Sequence, residues 1–431
     1  MMAQPWPDEV ELAVGGIAQG GDGVGRWQGR AVFAAGALPG EIVRVRLRER
    51  QASFARGQVV AVLAPAAERV ESPCPLESVC GAADWRSIDY AAQLRYKATI
   101  LQDQLRHIGG IDVPVMNTWG MASDAPTPPL GPAWGYRTTA ELHCAGGRIG
   151  YFVPGTRHVA DVPECCLHHP LLNTALSALR PLLEPSVPLR GVTLRCSPAQ
   201  GAVLAVFDAT TPLREFARRW MRVCPVLVGI VQRQRGKATP LLGKNHLIQE
   251  HDGLRWHVGA GAFFQNNDRQ LPRLLERVRA LLEPAPGKRF LDLFCGVGTF
   301  ALPLARDGAH MTGVEIHAPA IADARRSAAL NNLESRCTWH AGPVETVLEG
   351  IEGPIDGAVL DPPRRGCEPP ALDALLRLRP RRLVYVSCHP GTLARDCRRL
   401  VDGGYRVTQA EMIDLFPQTH HVESIVTLDA A

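Results

Sequence analysis

A cysteine stands where an apolar segment gives way to a proline-glycine turn in "LVYVSCHPGTLARD", residues 383–396. In this position Cys388 can pack in a core, bind a metal or act as a nucleophile. Two carboxylates follow strand-like segments in the same way, since Glu315 ends the strand of "HMTGVEIH" and Asp361 follows "IDGAVL". The carboxyl ends of parallel strands are where open α/β sheets bind ligands. The pattern therefore predicts a ligand site at that edge of a sheet.

The glycine turn in "RFLDLFCGVGTFALPLA" limits which class of ligand this site could bind. Gly296 and Gly298 lie between a strand and a helix, as in proteins that bind nicotinamide, flavin or S-adenosylmethionine. The third glycine of the dinucleotide fingerprint is absent, because Phe300 and Ala301 stand where it is expected. Pyrophosphate therefore has no obvious cradle, whereas Glu315 can accept hydrogen bonds from ribose hydroxyls. These features favour S-adenosylmethionine over a nucleotide or a purely structural turn.

Methylation at C5 of a pyrimidine would use the thiol directly. That carbon is too weakly nucleophilic to attack a sulfonium, so a thiolate must first add to C6 and make the ring electron-rich. A base then removes the C5 proton and the thiol is expelled, which requires one cysteine and one general base at the same site. Glu423 in "FPQTHHVESIV" is the best candidate for the base. Methylation of exocyclic amines is disfavoured, because Arg364 follows Asp361-Pro362-Pro363 where those enzymes place an aromatic.

The elements that position these residues alternate between strands and helices from about residue 263 onward. This alternation predicts a parallel, doubly wound sheet, closed by a hairpin over 405–429. Residues 8–65 have short alternating strands and glycine-rich turns, which are typical of a small β-barrel. In "VRVRLRER" the apolar residues Val43, Val45 and Leu47 alternate with arginines, so one wall of the barrel is either a basic stripe or a merely solvated face.

The middle of the chain is harder to interpret. "DYAAQLRYKATILQDQLRHIGG" predicts a helix that stops after His107, and Pro-rich linkers follow over 112–135. "GVTLRCSP" and "AVLAVFD" are strand-like. We therefore expect an α/β fold in three domains: a barrel over 1–65, a mixed α+β central domain over 66–262 and a catalytic domain over 263–431.

Length and composition agree with a folded protein of two or three domains. The chain has 431 residues, of which 21% are charged and 46% hydrophobic. The net charge of +4 and the pI near 8.5 permit a polyanionic partner without demonstrating one. Neither a secretory leader nor a run of about 18 apolar residues is evident, so we expect a cytoplasmic protein that does not enter a membrane. The twelve cysteines should then be mostly reduced thiols.

Five ordered motifs resemble those of the RNA uracil-C5 methyltransferases, which make 5-methyluridine in tRNA or large-subunit ribosomal RNA. They are "FFQNN" (263–267), "FCGVGTF" (294–300), "DPPRRG" (361–366), "SCHPGTLARD" (387–396) and "FPQTHHVE" (416–423). The N-terminal barrel resembles the TRAM domain, an OB-like fold, of the 23S ribosomal RNA members. The resemblance covers the whole chain and implies a Rossmann-like S-adenosylmethionine domain.

Matched position by position, the resemblance implies Cys388 as the nucleophile and Glu423 as the proton acceptor. It also implies contacts with S-adenosylmethionine from five residues: Gln265, Phe294, Thr299, Glu315 and Asp361. His389 departs from the family, which usually has Asn or Asp there, and its imidazole could help keep Cys388 ionised. Thr299 stands where some members have Asn.

A third departure concerns metal. Ribosomal RNA members often hold a four-iron cluster through a C-x5-C-G-G-C segment and a later cysteine, and "CPLESVCGAADW" keeps Cys74 and Cys80 but has Ala83 at the third position. Cys165 matches the later cysteine, with Cys166 beside it. Three thiolates could still bind a cluster if another group completed the set, but we expect the cluster to be lost and the cysteines to pack. Zinc at His420 and His421 is disfavoured, because adjacent residues of a strand point to opposite faces.

Other functions explain less of the sequence. A cysteine hydrolase gives no reason for a cofactor turn with Glu315, and a noncatalytic RNA-binding protein leaves Cys388, Glu423 and Asp361 unexplained. Cytosine-C5 RNA methyltransferases typically use two cysteines, one of which follows a proline, and "SCHP" does not have that form. The resemblance implies an RNA substrate, with 23S ribosomal RNA favoured over tRNA, and a monomer as the default of the family.

Overall fold

The computed structural model describes residues 5–121, 130–234 and 237–431. The first unit is a closed barrel with strand order β1-β2-β3-β5-β4. Its strands are β1 Glu9–Ile17, β2 Gly23–Trp27, β3 Arg30–Ala35, β4 Ile42–Arg50 and β5 Phe54–Ala64. The alternation predicted in β4 is confirmed, because Val43, Val45 and Leu47 are buried in the barrel core and the intervening arginines are exposed. Part of that basic stripe is neutralised, since Arg46 pairs with Glu9 at 2.9 Å.

A helix and a strand lead away from the barrel: α1 Tyr90–His107 and β6 Val115–Trp119. Asp89 caps the helix by accepting a hydrogen bond from the backbone N–H of Ala92 at 3.0 Å, and the helix ends at His107 as predicted. The linker predicted over 112–135 is wrong in part, because β6 pairs in parallel with a strand of the catalytic sheet. The flanking prolines hid that strand; residues 122–129 of the predicted linker lie outside the described residues.

The central region is a mixed sheet of order β13-β12-β11-β10-β7-β8-β9, with a separate hairpin of two strands. The elements are β7 Thr139–Ala145, β8 Arg148–Phe152, β9 Val159–Asp161, α2 Pro170–Leu179, a 3₁₀ turn Arg180–Leu182, β10 Leu189–Ser197, β11 Ala202–Ala209, α3 Arg214–Val223, β12 Leu227–Gln234, β13 Lys237–Gly243, β14 His246–His251 and β15 Leu254–Gly259. Helices α2 and α3 cover one face of the sheet around the buried Phe207 and Trp220. The β14–β15 hairpin packs against the catalytic region.

The catalytic region alternates helices and strands, as expected. It comprises α4 Leu271–Leu282, β16 Arg289–Leu293, α5 Ala301–Arg306, β17 His310–Glu315, α6 Ala318–Leu330, a 3₁₀ turn Glu334–Arg336, β18 Cys337–Ala341, α7 Val344–Glu349, β19 Gly357–Leu360, α8 Pro369–Leu378, β20 Arg382–Ser387, α9 Pro390–Asp402, β21 Tyr405–Ile413 and β22 Glu423–Ala430. The sheet order is β18-β17-β16-β19-β20-β22-β21-β6, with β16 to β20 parallel and β22 antiparallel to β20. The predicted α/β fold and its closing hairpin are confirmed.

The central strands of this sheet, β16, β19 and β20, are buried on both faces, which is why their sequences are almost continuously apolar. All four residues of β19 are buried, as are five of the six in β20. Helix α1 packs against α9, and both α1 and β6 therefore belong to the catalytic layer although they precede the central sheet in the chain. None of the helices in the described parts of the chain has the length and apolarity that crossing a bilayer requires.

Candidate active site

Cys388 lies one residue beyond the end of β20, at the carboxyl edge of the sheet. His389 is the N-cap of α9, and Pro390 takes the first helical position, where a missing backbone N–H has no cost. The sequence "SCHPG" therefore turns the chain sharply and leaves the thiol half-buried at the strand end. Burial, followed by the charges of the nearby carboxylates of Glu423 and Asp361, raises the pKa of Cys388 to about 12, although Arg364 opposes the shift. In the ligand-free site the thiol is protonated at neutral pH.

Glu423 begins β22, the antiparallel neighbour of β20. The register pairs Ser387 with Ser424, so its continuation beyond the end of β20 places Cys388 opposite Glu423. The charge of Glu423 also raises the pKa of Cys388, as expected for neighbouring groups. The side chain of Glu423 is buried, at 3% exposure, and burial followed by the charge of Asp361 raises its pKa well above the ordinary value. A carboxyl group of this kind is a stronger base than an exposed one.

Asp361 follows β19, the parallel neighbour of β20 on the other side. Gln265 donates a hydrogen bond from Nε2 to Asp361 Oδ2 at 3.3 Å. Burial raises the pKa of Asp361 to about 7, and the hydrogen bond from Gln265 opposes that shift. The structure thus brings four of the predicted site residues together: Cys388, Glu423, Asp361 and Gln265.

Arg364 was not predicted as a site residue. Its positive charge lowers the pKa of both Cys388 and Glu423, and its Nη2 lies 3.1 Å from Nε2 of His421. The signal in the sequence was its place in "DPPRRG", where it was noted only as a missing aromatic. His389 does not supply a second cation: burial and then Arg364 lower the pKa of its imidazole, so the idea that it keeps Cys388 ionised is not supported.

The other predicted cofactor residues surround the turn after β16. Phe294, Gly296 and Gly298 have φ values of 64°, 54° and 84°, in the left-handed region that a glycine-rich turn permits. A Cβ on Gly298 would lie 2.7 Å from Trp339, so only glycine fits there. Glu315 faces this turn, because its Oε2 accepts a hydrogen bond from the backbone N–H of Gly296 at 3.3 Å. Thr299 is buried beside it.

A buried carboxylate and two exposed apolar side chains complete this edge, and sequence reasoning missed all three. Asp292 Oδ2 accepts a hydrogen bond from the backbone N–H of Ala301 at 2.8 Å, while its Oδ1 is buried without a partner in the part of the chain that the structure describes. Phe263 is 65% exposed and Ile316 is 69% exposed. Acceptors beside exposed apolar surface fit a ligand with ribose hydroxyls and flat ring faces, as S-adenosylmethionine has.

The cysteine segment lies away from this edge. Cys74, Cys80, Cys165 and Cys166 line one cavity of about 10 Å³, which is room for about one water molecule. A hydrogen bond with Cys166 is the main reason why the pKa of Cys74 falls to about 6, and Arg86 Nη1 lies 3.6 Å from the Cys74 sulfur. Ala83 is buried nearby, and the described residues contain no group of three or more potential metal ligands. Ala83 supplies no ligand at the third position of the cluster segment, and Cys166 is the fourth thiol at this cavity.

The adjacent histidines have other partners. His420 Nδ1 lies 2.5 Å from Asp84 Oδ2, and the pKa of His421 falls to about 3 because of burial and the neighbouring His420 and Arg364. His421 lies beside the guanidinium of Arg364, and His420 is bound to the carboxylate of Asp84. The two imidazoles are therefore not arranged to bind one metal ion.

Comparison with known proteins adds family relationships to this geometry. Residues 354–431 match the family described as tRNA (Uracil-5-)-methyltransferase, residues 284–361 match a methyltransferase domain and residues 8–60 match a TRAM domain. The chain is 33% identical to an uncharacterised RNA methyltransferase of Thermosynechococcus vestitus over 450 residues, which cover 97% of each chain. It is 32% identical to one of Gloeobacter violaceus over 97% of this chain and 96% of that one.

A solved structure has the same fold. It is the Pyrococcus abyssi tRNA (uracil-54, C5)-methyltransferase in complex with S-adenosyl-L-homocysteine, with a TM-score of 0.77 at 24% sequence identity. The likeness covers 97% of this chain and 99% of that one, so it includes the barrel, the central sheet and the catalytic sheet.

Proposed function

This chain belongs to the RNA uracil-C5 methyltransferase family with an N-terminal TRAM domain, and on that premise we propose that it methylates C5 of a uridine in 23S ribosomal RNA through a covalent adduct with Cys388. It is an S-adenosylmethionine-dependent RNA methyltransferase of the uracil-C5 type. The observation that carries the mechanism is the position of Cys388 just after β20 and of Glu423 at the start of the neighbouring β22, with Asp361 just after β19.

S-adenosylmethionine, when bound, supplies an electrophilic methyl group on a sulfonium sulfur. We assign its binding to Gln265, Phe294, Thr299, Glu315 and Asp361, as the resemblance implies. Glu315 and the buried Asp292 offer carboxylate oxygens beside the glycine turn, and Asp361 lies between that turn and the thiol. This placement fits a donor whose methyl group must reach a base held at Cys388.

The chain's own residues then act in two stages. The sulfur of Cys388 bonds to C6 of the uracil while the thiol gives its proton to water, and the C5–C6 electron pair becomes an enolate that can take the methyl group at C5. The carboxylate of Glu423 next removes the proton from C5, the C6–S bond breaks, and the C5–C6 double bond forms again. The released sulfur regains a proton, so the uracil exchanges one hydrogen at C5 for a methyl group.

The electrostatics of the site make ionisation of the Cys388 thiol depend on the bound uracil. The charges of Glu423 and Asp361 oppose ionisation of Cys388, and the charge of Asp361 opposes ionisation of Glu423. In the ligand-free site the thiol therefore stays protonated. In the adduct the negative charge is no longer on the sulfur, because the ring carries it as an enolate. Arg364 is the described cation that favours ionisation of both Cys388 and Glu423. We therefore infer that thiol ionisation and attack on C6 occur together.

The choice of RNA is the finer part of the proposal. The TRAM barrel with its exposed arginines and the partial cluster segment favour 23S ribosomal RNA. A tRNA uridine is the second candidate, because the matched family and the solved structure are both described as tRNA enzymes. We further propose that the protein acts in the cytoplasm as a monomer, with a barrel over 1–65, a central domain over 66–262 and a catalytic domain over 263–431 to which α1 and β6 are added.

Nucleoside mapping tests the substrate. Ribosomal RNA and tRNA from a deletion strain and its parent are digested and analysed for 5-methyluridine, and we expect one site to be lost from 23S ribosomal RNA. Complementation with Cys388→Ala should not restore it, whereas Cys144→Ala, which changes a half-buried cysteine of the central sheet, should. Loss from tRNA alone would assign the second candidate, and unchanged maps would refute the function.

Two assays on the purified protein complete the test. Cys388→Ala should bind S-adenosylmethionine as the unaltered protein does, because the residues assigned to the donor are intact; loss of binding would contradict a purely nucleophilic role. Iron and sulfide analysis of anaerobically purified protein should show no cluster, because Ala83 offers no ligand and the cavity is small. About four irons per chain would overturn that expectation.

A further inference from the structure

The barrel reaches the catalytic turn through the loop between β1 and β2, residues 18–22. The side-chain amide nitrogen of Gln19, Nε2, lies 2.8 Å from Nε2 and 3.3 Å from Nδ1 of His389. His389 is the residue next to Cys388. Both side chains are half-buried. The contact joins positions that are 370 residues apart, so it is a link between the N-terminal barrel and the turn that carries the nucleophile.

Close backbone approach shows that this loop is packed against the catalytic region. A Cβ on Gly391 would lie 2.8 Å from Oε1 of Gln19. A Cβ on Gly21, whose φ is +89°, would lie 2.6 Å from Cβ of His420 and 2.8 Å from Nε1 of Trp85. At Gly21 a side chain would push the two surfaces apart, so glycine permits the contact there, whereas at Gly391 the flexible side chain of Gln19 could move aside.

One ring nitrogen of His389 caps α9, which leaves the other, Nε2, for a hydrogen bond outside the helix. As the N-cap of α9, its Nδ1 accepts from the backbone N–H of Thr392 at 3.2 Å, and that donor cannot turn away. The ring is neutral, because burial and Arg364 lower its pKa. With Nδ1 as the acceptor, the single ring proton is on Nε2. Nε2–H of His389 therefore donates the hydrogen bond. Its acceptor is the side-chain oxygen of Gln19, which an amide flip brings to the position 2.8 Å from His389 Nε2.

We propose that Gln19 and His389 are positioning residues for the reaction: their hydrogen bond fixes the Cys388 turn against the RNA-binding barrel. This inference rests on the role that the proposed function gives Cys388. It explains why an imidazole stands where the family usually has Asn or Asp. Either of those shorter side chains can cap α9, but only the longer imidazole both caps the helix and reaches Gln19.

The expected effect is on the chemical step. Attack on C6 needs the sulfur within a few tenths of an ångström of its productive place, and a shift of about 1 Å can cost about 100-fold in rate. Loss of the Gln19 contact leaves α9 capped, so folding is retained while the turn gains freedom. We therefore expect Gln19→Met and His389→Asn each to lower kcat about tenfold or more and to leave KM for RNA unchanged.

A double-variant cycle separates positioning from other roles. The assay uses 23S ribosomal RNA from a deletion strain, with tRNA from the same strain as the second probe. Since both substitutions break one bond, Gln19→Met/His389→Asn should be no slower than either single variant. Gln51→Met, an exposed glutamine at the turn between β4 and β5, is the matched control and should match the unaltered protein. Multiplied losses in the double variant, or a rise in KM at constant kcat, would overturn the proposal.

Hydrogen–deuterium exchange of the RNA-free protein tests the link without reference to activity. Gln19→Met and His389→Asn should raise exchange in residues 18–22, whereas Gln19→Glu, which keeps an acceptor for Nε2–H, should not. Unchanged exchange in Gln19→Met overturns the inference even if the enzyme is active on 23S ribosomal RNA. If exchange rises as expected but the unaltered protein methylates neither probe, the proposed function fails while the contact stands, and the positioning role falls with it.

Discussion

Glu423→Gln should separate methylation from release. The amide has the shape of the carboxyl group but cannot accept the C5 proton, so the chain keeps its nucleophile and loses its base. A positioned general base contributes about 10²–10⁴-fold to a proton transfer, and we expect release of the methylated RNA to slow by that factor. Formation of the adduct should not slow, because Glu423 is one of the charges that raise the pKa of Cys388, and an amide does not oppose the thiolate.

Because formation continues while release slows, the covalent adduct should accumulate to a measurable level. Radiolabelled 23S ribosomal RNA from a deletion strain is mixed with S-adenosylmethionine and the variant, and the covalent complex is counted on a denaturing gel. We expect the Glu423→Gln adduct to approach one RNA per protein and to carry the transferred methyl group. The unaltered protein should show only a trace of adduct, since its release is fast.

Two double variants serve as controls for the covalent complex seen on the gel. Cys388→Ala/Glu423→Gln has no nucleophile and should give no adduct, whereas Cys144→Ala/Glu423→Gln should retain it. Turnover of Glu423→Gln at the unaltered rate would refute the role of base. Absence of both methyl transfer and adduct would place Glu423 in an earlier step, and the reasoning from cross-strand pairing would fail.

Three further predictions follow from the electrostatics. Arg364→Gln removes a charge that lowers the pKa of Cys388 and Glu423, so the acidic limb of the pH profile of kcat/KM should move to higher pH; the exposed neighbour change Arg365→Gln should leave it in place. Iodoacetamide at neutral pH, followed by peptide mapping, should modify Cys74, whose pKa is about 6, faster than Cys388, whose pKa is about 12, and the opposite order would contradict a protonated resting nucleophile. Lys97→Met leaves the buried carboxylate of Asp414, 2.7 Å from the amine, unpaired and should cost about 3–5 kcal/mol in the free energy of unfolding in urea. Lys244→Met, on the surface, should cost little, and an equal loss in both would show that the ion pair is not responsible.

The sequence predicted which residues lie at the carboxyl edge of the sheet, because their placement follows local patterns. An apolar run that ends in a polar residue identifies the carboxyl end of a buried parallel strand, and parallel neighbours bring Asp361 and Cys388 to the same edge without further information. Helix α1 was predicted to its last residue, because helical spacing and a Gly-Gly stop are both local.

Features that depend on contacts distant in sequence were missed. The strand β6 lies among prolines and pairs with β21, almost 300 residues later, so its own sequence contains little sign of the partner. Arg364 was visible in its motif, but the proximity of its charge to both Cys388 and Glu423 is a property of the folded site. Gln19 belongs to a barrel loop with no local chemical signal, and only the folded chain brings it to His389.

The location of charge in this site explains why the nucleophile and the base can be neighbours. A permanent thiolate beside the carboxylate of Glu423 would place two like charges together in a partly buried space, which is costly. In the proposed mechanism that state is avoided, because Cys388 stays protonated until the uracil ring accepts the electrons and Glu423 needs its charge only afterwards. The two groups are therefore negative at different stages of one reaction. The order of the steps is then a consequence of burial, and a variant that ionised Cys388 in advance would gain reactivity toward alkylating agents while weakening Glu423's ability to be charged.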